Sequence, residues 1–196
     1  MNLRTENRQT RTSEIAFSTR EENGKHIEGY FAVFGGVYEM WPGATETVDP
    51  HAFDDCLNDD VRALTDHDTR LVLGRTAAGT LQLRIDEKGL FGSILINESD
   101  QDALNLYARV QRGDVTQCSF GFDILDETAE YREDGSVHWT LKKVKLYEVS
   151  VCTFPAYKDT EVSARKRDYQ DILARRTEAW KTKTMERIKK LWRSDS

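Results

Sequence analysis

The feature that most constrains this 196-residue chain is the stretch Gln117-Cys118-Ser119-Phe120-Gly121-Phe122-Asp123-Ile124. Its apolar residues recur at every second position, and a β-strand is what puts such a set on one face. Cys118, Phe120, Phe122 and Ile124 need a core, while Gln117, Ser119, Gly121 and Asp123 make a small, polar opposite face. Ser119 then projects away from the core, beside a glycine that leaves room for an approaching group. A nucleophile is mounted in this way, but so is an ordinary serine on a wetted strand face.

The rest of the chain reads as a companion to that strand. Gly29 to Gly36 is a glycine-bounded aromatic and β-branched run, a strand by composition. Met40-Trp41-Pro42-Gly43 is a turn signal inside a loop from Val37 to Thr47. Asp49-Pro50 reads as an N-cap with proline at the first helical position, opening a short helix to about Leu57. Val61 to Thr65 is a strand ending in Asp66-His67-Asp68. Leu81, Leu83 and Ile85 alternate with polar residues, Asp86 to Gly89 turns, and Leu90 to Ile96 returns as the clearest hairpin. Ser99 with Asp102 opens a helix carrying Leu104, Tyr107 and Val110, and Gly113 stops it. A turn over Glu133 to Ser136 separates Tyr131 from Val137 to Leu141, and Val144 to Thr153 is the last strong strand before Phe154-Pro155.

These elements predict an α+β protein. Its core is mostly antiparallel and barrel-like, with about seven strands and flanking helices, and a basic C-terminal helix follows. Three segments are expected: a mobile arm over 1–23, the main domain over 24–162 and a helical tail over 163–196. Charge supports the division. The net charge of −6 combines 11 Lys/Arg against 5 Asp/Glu from Arg165 to Ser196 with 17 against 29 before it. An acidic body argues against a nucleic-acid-binding domain, and the basic, aromatic-bearing tail reads as an interaction segment. The first 20 residues lack the apolar core of a signal peptide, and no run is long enough to span a membrane. Cys56, Cys118 and Cys152 share no paired spacing, so neither a disulfide scaffold nor a zinc site is expected.

Two further residues carry chemistry. His67 sits at a strand end between two aspartates, and imidazole is the side chain whose unperturbed pKa suits base work near neutrality. Glu148 interrupts an otherwise apolar strand, so it must lie near the surface or be held by a partner. Ser119, His67 and Glu148 would supply a nucleophile, a base and a carboxylate to orient that base. Cys118 is the rival nucleophile, but alternation sends it into the core, where a thiol is inert. Spacing alone does not bring the three residues together.

The order of short motifs adds to this reading. Gly29 to Phe34, Asp66-His67-Asp68 with Leu73-Gly74-Arg75, and Lys88-Gly89-Leu90 come first. Gly113, the Ser119-Phe120-Gly121-Phe122 block and Leu146 to Val151 leading to Pro155-Ala156 follow. This set resembles the prohead maturation proteases of tailed bacteriophages, whose fold is related to that of herpesvirus assemblin, over roughly Gly24 to Val162. The resemblance implies a serine endopeptidase with His67 as base and Ser119 as nucleophile. Glu148 stands in the third place, where assemblin has a second histidine. Asp66 stands where Asn is common, and His51 stands at a helix start where a small residue is common and is given no catalytic role.

The resemblance further implies cleavage of a scaffolding protein or of the scaffold-like segment of the major capsid protein precursor, and self-cleavage. The work would be done inside the immature prohead in the host bacterial cytoplasm, without metal or organic cofactor. Homodimerisation is expected by analogy with assemblin alone. The tail would load the enzyme onto scaffold, be removed by self-cleavage, or simply pack on its own body. A catalytically inactive capsid module of the same fold, a protease fused to a vestigial scaffold, and a DNA-binding protein resting on the tail are the competing readings.

Overall fold

A computed structural model of the chain describes residues 9–14, 17–154 and 185. The chain divides into two compact units, Met1–Tyr157 and Lys158–Ser196, and the described fold belongs to the first. Apart from Met185, the expected basic helix over 163–196 lies outside the described residues.

Among residues 9–14 and 17–154, eleven strands and one α-helix are present: β1 Gln9–Glu14, β2 Ser18–Arg20, β3 His26–Val33, β4 Tyr38–Trp41, β5 Ala44–Val48, β6 Arg62–Thr65, β7 Asp68–Arg75, β8 Leu81–Ile85, β9 Gly89–Leu95, α1 Gln101–Arg112, β10 Gln117–Tyr131 and β11 Val137–Cys152. They form two sheets, one in the order β1-β10-β11-β5-β4 with β6 and β7 branching from β11, the other β2-β3-β9-β8. The barrel-like core expected from the hairpins is therefore corrected to two sheets without a closed barrel. The reason is visible at β11. It pairs with β10 along its length, but on its other side it pairs in parallel with β5 over Val137–Leu141 and with β6 over Glu148–Val151. One strand serving two partners forks the larger sheet, and among the described residues no path of pairing returns to its start.

The alternation predicted for the central strand puts Cys118, Phe120 and Phe122 fully in the core, with Ile124 partly buried against it. Phe120 meets Phe53 edge-on at 5.5 Å and stacks on Phe122 at 4.8 Å. The helix stands close to its expected place. Asp100, rather than Ser99, caps it by accepting from the backbone N–H of Asp102 and Ala103. Gly113 ends it in the left-handed conformation that a side chain disfavours. Ala103, Leu106, Tyr107 and Val110 form its buried stripe, the i, i+3, i+4, i+7 pattern of a core-facing helix.

Two local expectations are corrected. The segment after Asp49-Pro50 is a series of i to i+3 turns, with Ala52 N–H on Asp49 O, Asp54 N–H on His51 O and Cys56 N–H on Phe53 O. An α-helix would need the Ala52 carbonyl for residue 56, but Val144 N–H of β11 takes it at 3.1 Å. Phe53 is still fully buried. The Val37–Thr47 loop is instead the β4–β5 hairpin, turning at Pro42-Gly43 and packing Trp41 on Trp139 at 5.6 Å.

Candidate active site

Two of the three site residues meet. The β6–β7 hairpin closes on the Thr65–Asp68 pair, leaving a two-residue turn, Asp66-His67, with both φ angles positive at 49° and 61°. Such a turn matches the twist of the strands but is uncomfortable for residues other than glycine, so both residues need anchoring. Asp66 tolerates this conformation and is pinned to the end of β11. Its N–H donates to Val151 O at 3.0 Å, and its carboxylate accepts from Thr153 N–H at 2.7 Å and from the Thr153 hydroxyl at 3.1 Å. His67 is thereby carried over the face of β11.

There Glu148 receives it. His67 Nδ1 lies 2.6 Å from Glu148 Oε1, and Glu148 is 3% exposed. The sequence puzzle of a carboxylate in an apolar strand is answered by partners. The second oxygen, Oε2, accepts from the Ser150 hydroxyl at 2.6 Å. A carboxylate on Nδ1 fixes the Nδ1–H tautomer and leaves Nε2 as the acceptor.

Ser119 stands one strand away. On β10 it is paired with Ser150, and Gly121 is paired with Glu148. Among the described residues its hydroxyl has no hydrogen-bond partner, and it is fully buried. The expectation that Ser119 faces open space is corrected, and so is the role of its neighbouring glycine. The room left by Gly121 is filled by Glu148: a Cβ there would overlap Oε1 and lie 2.9 Å from Cδ. The sequence signal was sound, since a glycine was needed, but the group that approaches is the protein's own carboxylate.

Sulfur is also present in the site. Cys152 Sγ is 3.9 Å from His67 Nε2, a long contact to the nitrogen left free by Glu148. Burial pushes its thiol far up, with Asp66 and Glu148 adding to the effect, so it stays protonated at neutral pH and is a poor nucleophile. Cys118 is in the core as expected, its sulfur on the Tyr30 carbonyl at 2.9 Å. His51 contacts Asp54 on the surface, far along the sequence from these residues and outside their hydrogen-bond network.

A buried serine one strand from a carboxylate-bound histidine supplies the residue types that nucleophilic acyl transfer uses. Residues 13–175 match the sequence pattern of the caudovirus prohead serine proteases. The chain belongs to that family. Over 147 residues it is 27% identical to the prohead protease of Enterobacteria phage HK97, a match covering 73% of this chain and 63% of that protein. It thus spans somewhat under two thirds of that relative's length. Among solved structures, it is similar to the bacteriophage T4 capsid assembly protease, with a TM-score of 0.53 and 13% identity over 79% of this chain and 100% of that one. At that identity the likeness concerns the fold.

In this prohead-protease family member, three contributors escaped the sequence reading. Ser150 was legible in principle, because a residue two places from Glu148 on a strand shares its face. Cys152 shares that face for the same reason. Thr153 was not legible, since nothing local links it to a turn 87 residues earlier.

Proposed function

We propose that the chain is the serine endopeptidase of prohead maturation, with Ser119 as nucleophile, His67 as general base and Glu148 as the carboxylate that orients it. The observation that carries this reading is the 2.6 Å hydrogen bond from His67 to a buried Glu148, one strand from a buried serine. Ser119 Oγ attacks the scissile carbonyl carbon and its proton passes to His67 Nε2. The same proton then goes to the leaving amine as the C–N bond breaks, and water repeats the sequence to release the acyl group. Glu148 stabilises the imidazolium in between. Hydrogen bonds in a resting site commonly tighten only when substrate is bound, so the unpartnered Ser119 hydroxyl is compatible with this role.

The substrates are the scaffolding protein or the scaffold-like segment of the major capsid protein precursor, and the chain itself, acting inside the immature prohead in the host cytoplasm. A homodimer is part of this proposal by family analogy. Among the described residues no helix is long and apolar enough to cross a membrane.

Co-expression with the capsid protein precursor tests the assignment by mass spectrometry. Wild type is expected to shorten the precursor, and Ser119→Ala to leave it intact. Equal cleavage by both would remove Ser119 as nucleophile. The fully buried Ser119 favours one other reading, a capsid-associated module of this fold without activity. That reading requires wild type to leave the precursor intact and to resist a serine-directed phosphonate.

A further inference from the structure

We propose that Ser150 is the positioning residue of the catalytic pair, holding both His67 and Glu148 through one hydroxyl; this rests on the roles given to those two residues above. Its oxygen accepts the His67 backbone N–H at 3.3 Å and its proton goes to Glu148 Oε2 at 2.6 Å. Glu148 Oε1 then takes His67 Nδ1, closing a ring of three hydrogen bonds. Ser150 is itself fully buried, so water does not replace it.

A hydroxyl has one proton and two lone pairs, and chemistry follows from how Ser150 uses them. Its single proton is committed to a carboxylate, so Ser150 is not placed to be deprotonated at Nε2 and is not a second nucleophile. What it does is fix geometry. A carboxylate held at one oxygen only is free to turn about its last torsion, and Ser150 holds the other. Meanwhile His67 occupies a left-handed backbone conformation, and Ser150 supplies the acceptor for its N–H. The turn keeps an independent anchor in the Asp66–Thr153 contacts. Loss of the Ser150 hydroxyl should therefore loosen the pair while leaving the hairpin in place.

The experiment uses the full chain as wild type, Ser150→Ala and Ser150→Thr, with thermal unfolding, steady-state cleavage of the capsid protein precursor and labelling by a serine-directed phosphonate. Misplacement of a base by a fraction of an ångström to an ångström costs on the order of 10- to 100-fold. Ser150→Ala is expected to lower kcat and the labelling rate by about that factor, with KM within about twofold, and Ser150→Thr to recover most of the loss because it keeps the hydroxyl. If Ser150→Ala does not fold, Ser150→Cys, close in shape but a weak donor, takes its place with the same expectation. Turnover at the wild-type rate in the variant lacking a good donor would overturn the proposal, as would a threonine variant that folds yet stays as slow as alanine. Should wild type neither cleave nor label, the catalytic reading falls and this proposal with it. A competent wild type with an indifferent Ser150 removes this proposal alone.

Discussion

At the scale of single residues, the site is assembled from side chains whose neighbours leave them little choice. Gly121 is the sharpest case. Its missing Cβ is the space that Glu148 occupies, so Gly121→Ala forces the carboxylate out of reach of His67. On the proposed roles, precursor cleavage is expected to fall about 100-fold, because His67 loses the carboxylate that orients it. The unfolding midpoint should move much less, since the β10–β11 ladder does not depend on that carboxylate. A Gly121→Ala enzyme with unchanged turnover would show that Glu148 has no part in catalysis. Cys152 illustrates the converse lesson. It sits beside the histidine with the more reactive atom, yet burial keeps its proton on, and proximity alone does not make a nucleophile.

At the scale of elements, β1 shows how an edge strand is held. It runs antiparallel to β10 in unbroken register from Gln9 opposite Phe122 to Glu14 opposite Gln117. Its Arg11 is 5% exposed and reaches Glu46 of β5, which is fully buried, through a two-pronged contact of Nε on Oε1 at 2.5 Å and Nη2 on Oε2 at 3.0 Å. Two strands that are not neighbours in the sheet are thus tied by a buried ion pair. Removing Glu46 takes a two-pronged acceptor from a buried guanidinium. Glu46→Ala is expected to cost about 3–5 kcal/mol, roughly 10 °C in midpoint by thermal denaturation. Replacing both residues together, Arg11→Met with Glu46→Leu, should recover much of the loss, because apolar substitutes need no desolvation. An undisturbed midpoint in the single variant would mean that this ion pair does not anchor β1.

At the scale of the whole molecule, buried thiols contribute to the loss of stability at alkaline pH. Burial raises Cys56 to about 11, and Cys152 is raised further by burial and by nearby carboxylates. In the unfolded chain both thiols ionise near 9. A group whose folded pKa is raised contributes its full stability below the unfolded value. The folded state keeps its proton above pH 9 while the unfolded state gives it up, so stability is lost as pH rises. Each thiol costs about 1.4 kcal/mol per pH unit across that window, from roughly pH 9 to 11 for Cys56. Denaturant titrations of wild type are expected to show this fall, and Cys56→Ala, though less stable at pH 7, should show a shallower one. Parallel pH curves for the two proteins would exclude Cys56 as a source.

By itself the sequence determined the alternation of the central strand, two of the hairpin turns and the side chains proposed to react. Period-two alternation sorted Cys118 from Ser119, Asp86 to Gly89 and Glu133 to Ser136 marked their hairpins, and Glu148 stood out as a charge in an apolar strand. These are properties of residues close in the chain, where the pleat and the turn act directly. The tertiary structure alone decided what those residues meet. Parallel pairing of β11 with β5 and β6 forked the larger sheet where a barrel was expected, and the Val144 N–H claimed the carbonyl that a helix after Pro50 required. Ser119 became buried, Gly121 gave its space to Glu148, and Ser150 joined that carboxylate to a histidine 83 residues away. Pairing and burial are set by free energies summed over distant segments, and no local pattern records which segment will supply the partner.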